Sequence, residues 1–292
     1  MRANTLRRIG VAMAAGTAIV LMAAPADAAP ATATPTAPVS HQQVAGAQAG
    51  TAGLKDGFIQ AHANMLGRTL AGHAAQATIH PSAGTAFLDK GNNQGAFAAQ
   101  SVTTALHPTN SGTTIYTPTL FPAGGSCIEV TTVYTTSVQA VEAWDWCNHI
   151  DFEASVPINA SFVSKYTSGG AYTTEILKTG ANTWVAYLYN YSTKAYDTLY
   201  TSSGNTQVGT TTGWDVNELY SSVQSNGQSY ACTDMAGKTF SANNIQVNLG
   251  GTWTAASASN SDTRYDTGNA SFDCPSRSYQ MISPYSHWQV VG

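Results

Sequence analysis

Residues 182–191 read NTWVAYLYNY; in an extended chain Trp184, Ala186 and Leu188 fall on one side and Val185, Tyr187, Tyr189 and Tyr191 on the other. Segments of the same composition, rich in Thr, Tyr, Val and Trp and separated by Gly, Asn and Ser, recur at 113–120, 128–136, 138–146, 160–166, 172–178, 195–201, 214–221, 239–248, 251–256 and 279–290. Ten or more short strands within about 190 residues, with no helical pattern between them, predict an all-β fold. No fixed-period repeat is present, which argues against a propeller or a solenoid. The expected body is a two-sheet antiparallel β-sandwich over residues 100–292.

The other end of the chain has a different character. Arg2, Arg7 and Arg8 precede an uncharged stretch, Ile9–Ala24, and Ala26-Asp27-Ala28 then offers the small-x-small pattern that signal peptidase cuts. Residues 1–28 are therefore expected to be a signal peptide, and the protein to be secreted and extracellular. The apolar stretch is 16 residues, short of the roughly 20 needed to span a bilayer, so no membrane anchor is expected. Residues 29–53, built from Ala, Pro, Thr, Gln and Gly, read as a disordered leader. Within 54–99, Leu54, Phe58, Ile59, Met65, Leu66 and Leu70 recur at helical intervals, predicting one short helix and a linker that together form a possible propeptide.

Charge excludes one class of partner. Removing residues 1–28 takes away three arginines and Asp27, leaving 9 basic against 15 acidic residues, a net charge of −6. Only seven Lys or Arg follow residue 89, too few for the basic stripe that phosphate backbones require, so no nucleic acid partner is expected. Four cysteines, Cys127, Cys147, Cys232 and Cys274, lie in the second half of the chain. In an oxidising compartment they are expected as disulfides, and Cys127 with Cys147 and Cys232 with Cys274 is the preferred of three pairings. Intervening stretches of 19, 84 and 41 residues contain no C-x2-C knuckle for zinc, and no D-x-[DN]-x-[DN] loop suggests calcium. Neither a metal nor another cofactor is expected.

Nucleophile signatures such as G-x-S-x-G and H-E-x-x-H are missing, which leaves carboxyl groups for acid–base work. The densest acidic cluster is VEAWDWCNHIDFEA, residues 141–154, where strand geometry puts Glu142, Trp144 and Trp146 on one face and Asp145 on the other. A carboxyl beside two indoles suits a sugar-binding groove, because the rings stack on apolar sugar faces. A second candidate is GWDVNELYSS, residues 213–222, which places Trp214, Val216 and Glu218 on one face.

The order of segments over 127–248 resembles the secreted glutamic peptidases: Ala143-Trp144-Asp145-Trp146, then Asn190-Tyr191-Ser192-Thr193, Val216-Asn217-Glu218 and Lys238-Thr239-Phe240. The resemblance implies a concanavalin-like β-sandwich and an acid-acting endopeptidase with Glu218 as general base. Where the family carries a glutamine that holds the oxyanion, this chain reads CIEVTTVYTT, with Glu129 and no glutamine. A pair of carboxyls, Glu129 and Glu218, would take the place of that dyad.

Two functions are therefore carried forward. The first is a lectin-like module binding an extracellular polysaccharide through Glu142, Trp144, Trp146 and Trp214. The second is an acid hydrolase acting on a protein substrate through Glu218 and Glu129, or a glycosidase pairing Glu142 with Glu218. A structural or inhibitory protein without a small-molecule site is the third possibility.

Overall fold

The computed structural model describes residues 33–35, 37–49, 82–147, 151–203, 212–265, 274 and 276–292. The expected signal peptide and the helix expected from Leu54 to Leu70 lie outside them. The described chain forms two sheets, with strands numbered in chain order. The first runs β1 (Val39–Gln43), β12 (Ala195–Ser203), β11 (Thr183–Asn190), β10 (Ala171–Gly180), β4 (Asn93–Ser101), β14 (Thr239–Leu249), β18 (His287–Val291) and β17 (Ser278–Ser283). Two short strands join it, β15 (Thr252–Ala255) against β14 and β9 (Thr167–Ser168) against β10. The second runs β16 (Ser261–Tyr265), β3 (Ser82–Phe87), β13 (Gly213–Ser221), β5 (Thr113–Phe121), β6 (Ile128–Tyr134), β7 (Gln139–Asp145), β8 (Asp151–Pro157) and β2 (Gln48–Ala49).

The alternation read from 182–191 holds residue for residue. Trp184, Ala186 and Leu188 enter the interior between the sheets, in one hydrophobic core with Ile115, Leu120, Val130, Val141 and Leu219 of the second sheet. Val185, Tyr187 and Tyr189 face outward and pack with Phe97 and Tyr196. The all-β sandwich expected from the sequence is the observed fold. Strand spacing in the second sheet is tight: a Cβ at Gly84 would sit 2.4 Å from the Asp215 carbonyl oxygen, so only glycine lets β3 lie this close to β13.

Two expected strands are corrected. Residues 160–166 form a helix, α1 (Ala160–Tyr166), in place of the expected strand. Asn159 caps it by accepting the Phe162 N–H at 3.0 Å, and Phe162 and Tyr166, one turn apart, are its buried residues, so capping and interior burial override the β-like composition. A single helical turn, α2 (Ala231–Asp234), follows Tyr230. The expected strand 279–290 is a hairpin, β17 and β18, broken at Pro284–Ser286 where Tyr285 takes a φ of 63°.

The sandwich also begins earlier than residue 100. β3 lies between β16 and β13, and β4 between β10 and β14, so Ser82–Phe87 and Asn93–Ser101 are internal strands of the two sheets. The leader is likewise tied down from residue 33 onward. β1 pairs parallel with β12, the Tyr196 N–H donates to the Pro38 carbonyl at 2.7 Å, and its hydroxyl donates to the Thr34 carbonyl at 3.1 Å. Val44 is buried in the interior, the Ala45 N–H donates to the Tyr166 hydroxyl at 2.7 Å, and β2 pairs with β8. Edge pairing uses backbone groups that any residue carries, which is why a low-complexity composition gave no sign of it. Cys127 is bonded to Cys147 and Cys232 to Cys274, the preferred pairing.

Candidate functional site

The outer face of the second sheet carries a group of side chains separate from the interior. On β13, Asp215 and Leu219 point inward, so Trp214, Val216, Glu218 and Tyr220 point outward. On β6 Val130 is interior and Glu129 and Val133 are outer, and on β7 Ala143 is interior while Glu142 and Trp144 are outer. β5 has a register shift between Tyr116 and Thr119, after which Thr119 and Phe121 join Tyr116 on the outer side. Pairing sets Trp214 opposite Phe121, Glu218 opposite Tyr116, Glu129 opposite Trp144 and Thr131 opposite Glu142.

Glu129 is the centre of the hydrogen bonding. Its Oε1 accepts from Thr119 Oγ1 at 2.8 Å and Trp214 Nε1 at 2.9 Å, and its Oε2 accepts from Trp146 Nε1 at 2.9 Å. Glu142 accepts from Trp144 Nε1 and Ser155 Oγ, both at 3.3 Å. Around these carboxyls Trp144 and Trp146 stack at 5.2 Å, Phe121 and Trp214 at 4.7 Å, and Tyr116 meets Trp144 and Tyr220 edge-on. A buried carboxyl without donors costs several kcal/mol, and the indole N–H groups, with Thr119 and Ser155, offset that cost for Glu129 and Glu142.

The six residues singled out from the sequence, Glu129, Glu142, Glu218, Trp144, Trp146 and Trp214, all come together on this face. All are buried, none exposing more than 4% of its surface. The Tyr116 hydroxyl has its pKa pushed far above the ordinary phenol value, first by burial and then by Glu129, Glu218 and Glu142. Tyr220 is raised likewise, by burial, Glu218 and Glu129. Both phenols therefore keep their protons, and both sense the carboxyls at 129 and 218.

Sequence reasoning missed Thr119, Tyr116 and Tyr220. Tyr220 was legible, since it continues the Trp214, Val216, Glu218 alternation. Tyr116 was not, because the register shift in β5 breaks the simple odd–even pattern. Asp145 faces the interior as expected, accepting from Ser202 Oγ at 2.7 Å and Tyr200 OH at 2.9 Å. Cys127, Asp145 and Cys147 bring potential ligand atoms within 4.8 Å of one another, but the two sulfurs are bonded to each other and cannot ligate a metal.

Comparison of the sequence with family models and with curated proteins finds no match. Among solved structures, scytalido-glutamic peptidase bound to a peptide-based transition state analogue matches with a TM-score of 0.46 and 10% identity, covering 73% of this chain and 98% of that one. SCP-B, a member of the eqolisin family of peptidases in complex with the tripeptide Ala-Ile-His, matches with the same values. The chain thus resembles glutamic peptidases weakly, as its segment order does. At this identity no residue role passes from those proteins to this one.

Proposed function

We propose that this chain is an exported, acid-acting hydrolase of peptide bonds whose working groups are Glu218, Glu129 and Tyr116. The observation that carries the reading is the Tyr116 phenol, kept in its O–H form amid three carboxyls on one face. Amide hydrolysis develops negative charge on the carbonyl oxygen, and a phenol O–H is a donor suited to it. Glu218 takes a proton from water as the water oxygen attacks the carbonyl carbon. Tyr116 donates to the resulting oxyanion. The C–N bond then breaks as Glu218 returns the proton to the leaving nitrogen. Glu129, fixed by Thr119, Trp146 and Trp214, supplies the second carboxyl of an acid-working pair.

Glycoside cleavage develops a positive oxocarbenium centre and forms no carbonyl oxyanion for the phenol to hold, so the placement of Tyr116 favours amide hydrolysis. The lectin-like reading is also weakened, because Trp144, Trp146 and Trp214 are buried and spend their indole N–H groups on Glu142 and Glu129. A closed face must open before substrate enters.

The test is hydrolysis of casein and of polysaccharides by the exported protein from about pH 3 to about pH 7. Casein cleavage that fades toward neutrality, falls by about a hundredfold or more in Tyr116→Phe and is abolished in Glu218→Gln supports the reading. Cleavage that survives Glu218→Gln refutes it. Retention on an insoluble polysaccharide without hydrolysis returns the lectin-like reading.

A further inference from the structure

Behind the outer face runs a buried chain of hydrogen bonds that the proposed chemistry does not use. Asp215 sits between Trp214 and Val216 on β13 and points into the interior. Gln100 Nε2 donates to its Oδ2 at 2.9 Å, and Trp288 Nε1 to its Oδ1 at 2.7 Å. The Tyr172 hydroxyl donates to Gln100 Oε1 at 2.6 Å and shares a 2.9 Å hydrogen bond with Thr132 Oγ1. The chain leaves the second sheet on β13, contacts β18, β4 and β10 of the first, and returns on β6. Both of its ends border the site. Trp214, whose indole holds Glu129, is the neighbour of Asp215, and Thr132 lies on the strand of Glu129 itself.

We infer that Asp215 is a positioning residue: its carboxyl, accepting from Gln100 on β4 and Trp288 on β18, ties β13 to the first sheet so that Trp214 stays on Glu129, and its ionisation sets an uncompensated charge in the interior that β13 relieves by shifting, carrying Trp214 with it. The donors to Asp215 are neutral, so a charge there has no cation to offset it among these partners. Among the described residues the titratable groups of this chain are Tyr172 and, beside it, Tyr134, both held as phenols by burial. Burial lifts the Asp215 carboxyl from 3.8 to about 7, against the lowering effect of Gln100 and Trp288. Between those values the folded protein keeps a proton that the unfolded chain has released. Stability from this group is therefore full in acid and is lost as pH rises toward neutrality.

The inference rests on the hydrolase reading only for its effect on rate, so the test carries a second readout. Thermal midpoints of the full chain and of Asp215→Asn are compared from about pH 4 to about pH 8, with the indole N–H resonance of Trp214 assigned by Trp214→Phe. The expected result is a wild-type midpoint that falls relative to the variant as pH rises, and a Trp214 resonance that titrates in the wild type and is flat in Asp215→Asn. Equal slopes and equal titration overturn the inference. Should the Asn variant fail to fold, Tyr172→Phe removes the donor that steadies Gln100; the Trp214 titration should then move to higher pH, and an unmoved titration overturns the inference. If the hydrolase reading alone is wrong, no variant cleaves substrate while the Asp215-linked titration persists.

Discussion

Replacing Trp146 by Phe removes the indole N–H that donates to Glu129 Oε2 at 2.9 Å and trims the ring that stacks on Trp144 at 5.2 Å. A hydrogen bond to a buried carboxyl is worth about 1–3 kcal/mol, and the smaller ring adds a packing cost of similar size. The two are separated by making the same change in a Glu129→Met background, where the acceptor is gone and the packing cost remains. The expected coupling is about 2 kcal/mol, equivalent to about 4–8 °C of thermal midpoint for a folded body of this size. Urea unfolding of the four proteins, followed by far-UV circular dichroism, gives the cycle. A coupling within about 0.5 kcal/mol of zero would mean that the indole does not hold the carboxyl, and the account of the Glu129 cluster would fail.

Three other outcomes follow from the fold. Val44→Ala, in the leader segment that enters the interior, should cost about 2 kcal/mol by denaturant unfolding, whereas a dispensable leader would show no change. Cys127→Ser/Cys147→Ser and Cys232→Ser/Cys274→Ser should lower stability by about 3 and about 4 kcal/mol, in the order of their separations of 20 and 42 residues, as read by unfolding without reductant. Asn190 begins an N-x-S sequon but is buried, and its amide donates to Asp197 Oδ2 at 2.8 Å; mass spectrometry of protein from a glycosylating host should find that asparagine bare.

The strands that alternate cleanly were legible because their residues answer to two different surroundings. Trp184, Ala186 and Leu188 fill the interior, and Trp214, Val216 and Glu218 share the opposite face of the other sheet, as period-two spacing requires. β4 was missed because NQGAFAAQS has no β-branched residue; small side chains suffice for a strand bounded on both sides. α1 was misread because a cap at Asn159 and the burial of Phe162 and Tyr166 are decided by neighbours far along the chain. Glu142, Trp144 and Trp146 share one face, as the alternation requires, and of the two surroundings open to that face, a sugar groove or a buried aromatic layer, the structure has the buried one. Alternation says which side of a sheet a residue faces and nothing about whether that side meets water. The lectin-like reading leaned on exposure, and it weakened where exposure failed.

The short run from Val39 to Ala49 lies on the outermost strand of both sheets at once, through β12 in one and β8 in the other. Bare strand margins recruit other chains, and here 11 residues shield two of them with segments of five and two residues, too brief to serve as templates themselves. A protein stripped of this segment would present two unguarded borders side by side. Its characteristic failure would be self-association into fibrils, visible as thioflavin binding, before any loss of the sandwich itself.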